Sequence, residues 1–171
     1  AYRSMLDLLD TLGVPEAHVF HRRPLCLEMR SPRRPMMRLA FPTLPAPWHV
    51  IAGFMAAEGL SLTDRCRALR LCAGLSRSGF RLMQDEALGP WLRRNGQNET
   101  LIASLWEPLC LAALNTPVEQ ASAQVFLRVL HEVFAGRRSD SDLLFPRTDL
   151  GAVFPEPALR YLEERGTVVR F

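Results

Sequence analysis

The sequence contains no lysine, so the positive side of its formal net charge of +3 rests on arginine alone. The use of arginine in place of lysine more often reflects a GC-rich genome than a function. An excess of positive charge this small is not typical of a nucleic-acid-binding protein, and no zinc-finger spacing, aromatic RNA-binding signature or basic-zipper pattern accompanies it. We therefore expect no nucleic-acid partner.

A long apolar run is also missing. A membrane-spanning helix needs about 20 consecutive apolar residues, and no stretch of this chain approaches that length. The start of the chain, AYRSMLDLLD, lacks the basic region and apolar core of a secretory signal peptide. Both absences predict a cytoplasmic protein that is neither secreted nor embedded in a membrane.

Metal and redox motifs are absent as well. The four cysteines lack the close pairs that such motifs require, and their apolar surroundings predict reduced cysteines in the core; they are Cys26, Cys66, Cys72 and Cys110. His18 and His21 have a spacing at which two side chains can share a metal ion. No third ligand is indicated, so we predict no metal site.

Apolar residues at helical spacing predict a helix-rich chain. The predicted helices are residues 3–12, 47–58, a segment from 62, 90–95, a stretch from 99 that continues past Pro108 to 113, 117–135 and 155–165. Two extended runs, PLCLEMR and PMMRLAF, flank SPRR and predict a β-hairpin, and TVVRF at 167–171 predicts a final strand. A length of 171 residues suits one domain over 1–171.

Capping signals mark three of the predicted helix starts. Ser61 with Asp64, and Thr116 with Glu119, have the spacing of a capping box, and Asn98 is a single cap. The helix after Ser61 carries four apolar residues on one stripe, which predicts its buried face: Leu62, Cys66, Leu69 and Ala73.

Two predicted surfaces each have two interpretations. Four arginines crowd the hairpin tip and form either a solvated loop or a contact with anionic lipid or phosphate; they are Arg30, Arg33, Arg34 and Arg38. The helix from Pro47 is apolar on almost all sides, which is typical either of a core helix or of a helix that touches lipid or ligand. We place His49, beside Trp48, at the rim of that helix.

The segment LWEPLCLAALNTP, residues 105–117, contains a charge and a proline in an otherwise apolar helical pattern. Proline inside a helix costs about 3 kcal/mol, so Pro108 either kinks one helix or starts a second. Both alternatives predict a bend beside Trp106. Glu107 then either turns outward at the bend or is paired inside.

Several segments together resemble a known family. LWEPLCLAALNTP, ASAQVF at 121–126 and DLLFPRTDLGAVFPEPALRYLEERG at 142–166, with LPAPWH and GLSLTDR, resemble the squalene-associated FAD-dependent desaturases, also called hydroxysqualene dehydroxylases. These enzymes lie within the flavin amine oxidase and phytoene desaturase superfamily. The resemblance implies an α+β, helix-rich fold in which a layer of helices covers a small, mostly antiparallel sheet. It also implies an enzyme of hopanoid biosynthesis that reductively removes the hydroxyl of hydroxysqualene.

The FAD fingerprint of that family is missing from this chain. Family members carry GxGxxG, and none of the ten glycines in the sequence falls in that spacing. The chain also begins without Met and ends on a strand-like segment. We therefore expect the substrate-binding middle part of a larger enzyme, inactive alone, with FAD in the full-length protein and none in this fragment.

The partners follow from the resemblance. They are an isoprenoid lipid substrate, the missing FAD-binding domain and the inner face of the membrane as a peripheral contact, with a homodimer of the excised piece as a further expectation. In this superfamily the middle domain covers a long apolar cavity above the flavin. The resemblance implies that six residues line or brace it, and the alternative is ordinary core packing; they are Trp106, Glu107, Cys110, Asn115, Ser122 and Arg147.

Within that set, Glu107 is expected near the substrate oxygen or paired with an arginine such as Arg147. No catalytic residue is predicted, because hydride chemistry belongs to the flavin. Asp149, two residues after Arg147, is also a plausible cap for the turn that follows. The alternative function is a non-enzymatic, α-rich module that binds an apolar ligand or a partner helix.

Overall fold

The computed structural model describes residues 3–31, 34–134 and 138–170. Within them the chain is rich in helices and has short strands that pair antiparallel in two separate two-stranded ladders. The predicted α+β, helix-rich class is confirmed. Contacts group the chain into two compact units, residues 1–23 with 142–171, and residues 24–141. The single domain over 1–171 stays a prediction.

Short helices make up most of the described chain, and short strands lie between them. The helices are α1 (Arg3–Thr11), α2 (Glu16–Val19), α3 (Trp48–Met55), α4 (Leu62–Ser78), α5 (Leu88–Arg94), α6 (Glu99–Leu101), α7 (Glu107–Leu114), α8 (Ala123–Phe134), α9 (Leu150–Val153) and α10 (Pro155–Glu163). The strands are β1 (Phe20–Arg23), β2 (Cys26–Ser31), β3 (Arg34–Ala40) and β4 (Leu143–Pro146). A π-helical turn (Ile102–Trp106) joins α6 to α7, and a 3-10 turn (Arg138–Ser141) precedes β4.

The first unit is built around the ladder of β1 and β4. Phe20 lies opposite Pro146, and Arg23 lies opposite Leu143. A small apolar core packs beside this ladder and consists of Leu9, Val19, Phe20 and Val153. The two segments of this unit are therefore joined by pairing between residues more than 100 positions apart in sequence.

The predicted strand over 167–171 is wrong for the residues that the structure describes. Residues 167–170 have no strand structure, and Val168 is 80% exposed; Phe171 lies outside the described residues. A β-branched segment forms a strand only where it finds a pairing partner and a surface to pack on. In this unit β4 takes the place beside β1.

The second unit begins with the predicted hairpin. β2 and β3 pair antiparallel, with Met29 opposite Met37, and Met37 is buried. Among the predicted tip arginines, Arg33 and the side chain of Arg34 lie outside the described part of the structure. The other two have acidic neighbours: Arg30 lies 3.7 Å from Glu28, and Arg38 lies 3.6 Å from the same carboxylate.

Helix α4 begins as predicted but buries a different face. The Ser61 hydroxyl accepts a hydrogen bond from Asp64 N at 3.1 Å and donates to Asp64 Oδ2 at 2.7 Å, so the capping box is confirmed. The predicted apolar stripe is wrong, because Leu62 is 67% exposed and Cys66 is exposed. The residues of α4 that are buried are Asp64, Ala68, Leu71, Cys72 and Leu75. Apolar residues occur on several sides of this helix, and its packing partners decide which side is covered.

Helix α8 begins later than its predicted capping box. Thr116 donates from its hydroxyl to Leu114 O at 2.9 Å, and the helix starts only at Ala123. Glu119 does not reach back to a cap; instead it forms an ion pair of 2.7 Å with Arg93. Ser122 takes the capping role, since its hydroxyl accepts from Val125 N at 3.0 Å. The helix ends at Phe134 in the structure, and the predicted end at Gly136 lies outside the described residues.

Helix α3 is buried on one side and exposed on the other. His49 is 1% exposed, so its predicted place at the rim is wrong, and its Nε2 lies 3.3 Å from the Ser141 hydroxyl. The opposite face carries large apolar side chains in solvent: Trp48 (61% exposed), Ile51 and Met55. Neither interpretation of this helix therefore holds for the whole of it.

The cysteines are free, but only half of them are in the core. Cys72 and Cys110 are buried, whereas Cys26 and Cys66 are exposed, which corrects the prediction that all four are internal. In the described part of the chain, no helix has the length and apolar character needed to cross a bilayer.

Candidate functional site

A widened helical turn lies directly before Pro108. The residues before it form a π-helix, in which Glu107 N donates to Ile102 O, five residues back. Pro108 then lies in the first turn of α7, where its missing donor leaves no hydrogen bond unmade. Beside Trp106 the structure thus has a π-helical turn followed by a helix start, and π-helical turns are frequent at functional sites, whereas the predicted bend itself stays a prediction.

Trp106 lies in the packed interior at that turn. It is fully buried, and its indole Nε1 donates to Gln97 Oε1 at 2.9 Å. Its ring meets Phe126 edge to face at 6.4 Å between centroids. Gln97 is itself buried, so the two polar groups satisfy each other away from water.

Cys110 and Glu107 lie one turn apart on α7. Cys110 is fully buried, with its Sγ 3.2 Å from Thr116 O. Burial raises the pKa of the Cys110 thiol, and the negative charge of Glu107 raises it further. The thiol is therefore held protonated at neutral pH, which disfavours it as a nucleophile.

Asn115 and Ser122 both act at helix ends. Asn115 has a φ of +50° and closes α7, with its N–H bonded to Leu111 O at 2.9 Å. The Ser122 hydroxyl donates to Asp85 Oδ2 at 2.6 Å while it caps α8. Each residue has a local role that accounts for its type without a ligand.

Arg147 belongs to the first unit, and the other five predicted site residues belong to the second. Its Nη1 donates to Ala17 O at 3.1 Å, and its backbone N–H donates to Val19 O at 2.9 Å. Asp149 caps α9 by accepting from Ala152 N at 3.0 Å, as predicted. A joint substrate site of the six residues stays a prediction.

An apolar cavity lies in the first unit, and none of the six predicted site residues lines it. Its volume is about 630 Å³, within the usual range of small-molecule pockets. Of the described residues that line it, Ser4 alone has a polar side chain; the others are Met5, Leu8, Phe20, Leu144, Leu150, Val153, Phe154 and Pro155. Several of these large apolar side chains are exposed, Leu150 to 69%. The cavity suits a hydrocarbon, and the described residues of its lining offer no titratable group for chemistry.

The described residues do not fit a flavin. A dinucleotide site needs a parallel βαβ unit with a glycine-rich turn, whereas the strand pairs among these residues are antiparallel. The glycines with positive φ stand singly at helix ends and turns, as Gly13 does at +69° and Gly79 at +64°. Throughout the described ranges, no three His, Cys, Asp or Glu residues are grouped so as to hold a metal ion.

Comparison with known proteins supports part of the resemblance. The fold and the cavity define a helix-rich α+β chain with room for an apolar ligand. No protein-family model matches the sequence. A stretch of 86 residues, 50% of this chain, is 37% identical to a hydroxysqualene dehydroxylase from Sinorhizobium fredii (strain NBRC 101917 / NGR234). The matched stretch covers 20% of that relative, so the chain is similar to part of that protein.

Proposed function

We propose that this chain is the substrate-binding part of an FAD-dependent oxidoreductase that acts on hydroxysqualene or a related isoprenoid. The observation that carries the proposal is the 37% identity, over half of the chain, to a hydroxysqualene dehydroxylase. FAD is bound by a part of the full-length cytoplasmic enzyme outside this chain. The chain by itself is inactive.

The apolar cavity of the first unit supports an isoprenoid ligand. Its walls include Met5, Leu8, Leu144 and Phe154. A branched hydrocarbon has no hydrogen-bonding groups, so it loses no hydrogen bonds when it moves from water into such an apolar site. Each Å² of apolar surface removed from water contributes about 25 cal/mol to binding. A segment of the isoprenoid chain therefore lies in this cavity.

The six residues suggested by the resemblance take different roles in this proposal. Four of them have packing or capping contacts that support a bracing role: Trp106, Cys110, Asn115 and Ser122. Glu107 is half-buried at the π-helical turn, and it is the proposed carboxylate near the substrate oxygen. Arg147 holds the backbone of residues 17–19 in the unit that contains the cavity.

A titration with farnesol, a short isoprenoid alcohol, tests the cavity. Methionine methyl groups of the 171-residue chain are labelled with carbon-13 and followed by NMR. We expect saturable shifts for Met5, which lines the cavity, and none for Met83, which is fully exposed on the second unit.

The matched variants are Leu8→Gln and Leu111→Gln. Leu8 lines the cavity and is 42% exposed, and Leu111 lies on α7 with 44% exposed, so both place the same amide on a helix surface. Desolvating an amide in the wall costs about 1–3 kcal/mol, so Leu8→Gln weakens farnesol binding about fivefold or more, whereas Leu111→Gln leaves it unchanged. Equal chemical-shift changes at Met5 and Met83, or an equal loss of farnesol affinity in both variants, would refute ligand binding in this cavity.

The alternative proposal is a non-enzymatic module that binds an apolar ligand or a partner helix. The exposed apolar face of α3, with Trp48, Ile51 and Met55, favours it. The same face supports the proposals of a peripheral membrane contact and of a homodimer of the isolated piece. Sequencing the gene on both sides decides between the two functions: a GxGxxG fingerprint upstream, in the same reading frame, supports the enzyme, and a start codon and a stop codon directly at the chain ends support the module.

A further inference from the structure

Two neighbouring cavities of the second unit are lined by arginine. One has a volume of about 520 Å³ and lies between the turn at 79–82 and α8; the other, of about 410 Å³, lies between α4 and α5. They share Arg81 and Leu82. We call them together the arginine cleft, and its basic residues are Arg70, Arg81, Arg128 and His131.

The three guanidinium groups of the cleft take part in none of the ion pairs that the described residues form. Among the described residues, no carboxylate lies within ion-pair distance of Arg70, Arg81 or Arg128. Arg93, on the nearby helix α5, is by contrast held between Glu99 at 2.5 Å and Glu119 at 2.7 Å. Positively charged side chains that line a concave surface without acidic partners raise the local positive potential and attract anions.

Among the described residues that line the cleft, one carboxylate opposes this charge. It belongs to Glu132, and Glu132 Oε1 lies 3.5 Å from His131 Nδ1. Three arginines against one carboxylate leave the cleft with a clear excess of positive charge. The planar guanidinium presents paired donors that match a phosphate group, which makes arginine the residue most suited to such an anion.

The floor of the cleft is held rigidly. Gln124 accepts from Leu82 N at 2.7 Å and donates to Phe80 O at 3.0 Å, so one side chain clamps the turn that carries Arg81. Phe80 has a φ of +58°, an uncommon conformation for a bulky side chain, and its buried ring packs against His131 at 5.2 Å. Residues held in sparsely populated backbone conformations occur more often at functional sites than elsewhere.

We propose that the arginine cleft binds a phosphate-bearing ligand. Arg81 and Arg128 hold the phosphate, Arg70 extends the positive field into the second cavity, and the apolar part of the ligand contacts Leu82 and Val125. The residues of this site are separate from those of the apolar cavity, so the two proposals stand or fail independently. A soluble phosphate ester and a phospholipid headgroup share the required chemistry.

Calorimetric titration of the chain with inorganic diphosphate tests the proposal. The variants are Arg81→Gln and Arg128→Gln, with Arg160→Gln as the matched control. Arg160 is an exposed helix residue that also has no carboxylate partner among the described residues but does not line the cleft, so it makes the same change of net charge. We expect saturable binding that each cleft variant weakens about tenfold and the control changes less than about twofold.

A second arm distinguishes the two sources of phosphate. Co-sedimentation is measured with phosphatidylglycerol vesicles and with phosphatidylcholine vesicles, and thermal melting by circular dichroism confirms that each variant is folded. Arg-dependent binding of diphosphate supports a soluble ester, and Arg-dependent binding to phosphatidylglycerol vesicles alone supports a headgroup. Absence of saturable binding in both arms, or a loss in Arg160→Gln equal to that in Arg81→Gln, overturns the proposal.

Discussion

Replacing Trp106 by phenylalanine should be among the more costly single changes in the second unit. The indole fills space beside Phe126 and donates its N–H to Gln97 Oε1 at 2.9 Å. Phenylalanine keeps most of the ring contact but has no donor. The buried carbonyl of Gln97 then loses its partner where water does not reach it.

The expected cost has two parts. A buried acceptor that loses its donor costs about 1–3 kcal/mol. The smaller ring leaves a cavity, and at about 24 cal/mol per Å³ a residual void of about 40 Å³ adds about 1 kcal/mol. The Trp106→Phe variant should therefore unfold with a free energy lower by about 2–4 kcal/mol.

Urea unfolding followed by circular dichroism at 222 nm measures this difference. Trp91→Phe is the control, since Trp91 is also a buried tryptophan but its indole N–H has no protein acceptor among the described residues. A double-mutant cycle of Trp106→Phe with Gln97→Met isolates the hydrogen bond, with an expected coupling energy of about 1 kcal/mol or more. A coupling energy near zero, or equal costs for the two tryptophans, would show that the bond does not stabilise this interior.

Two further predictions concern ionisable groups. Iodoacetamide at pH 8 should modify the exposed Cys66 and spare Cys72 in the folded chain, because burial raises the pKa of Cys72 to about 12. Peptide mass spectrometry measures the two rates of modification, and equal rates would contradict this prediction. The hydroxyl of Ser122, followed by the backbone N–H of Gln124, lowers the pKa of Asp85. The stabilisation by Asp85 is thus complete above its unfolded pKa of about 3.9 and is lost as the pH falls through the lower folded value. In the Asp85→Asn variant, the free energy of unfolding, measured with urea at a series of pH values, should fall less steeply toward acid pH. An unchanged dependence on pH would rule this out.

Local features were predictable where the interacting groups are close in the chain. The box of Ser61 and Asp64 and the cap of Asn98 on Leu101 N, at 2.8 Å, each span three residues. The hairpin of β2 and β3 follows from two extended runs around one turn. In the caps, side chains supply the hydrogen-bond partners, and in the hairpin the turn brings the two strands together, so both can be recognised from a short segment of sequence.

The failures concern features whose partners are remote in sequence. Glu119 was assigned to a capping box, but Arg93, 26 residues away, holds it instead. The apolar cavity unites α1 with residues 144–155, and no pattern within either segment indicates that they meet. The buried face of α4 likewise depends on what packs against it, since Leu62 and Leu71 are equally apolar and only the second is buried.

By itself, the sequence determined the helix-rich α+β class, several helix ends and the hairpin, because hydrogen bonds and caps that define these elements form between near neighbours. Tertiary structure alone decided which faces are buried, where the apolar cavity opens and which of the described arginines are left without carboxylates. These properties depend on contacts such as that of Arg147 with Ala17, 130 residues apart, and burial is a property of the assembled surfaces rather than of either segment.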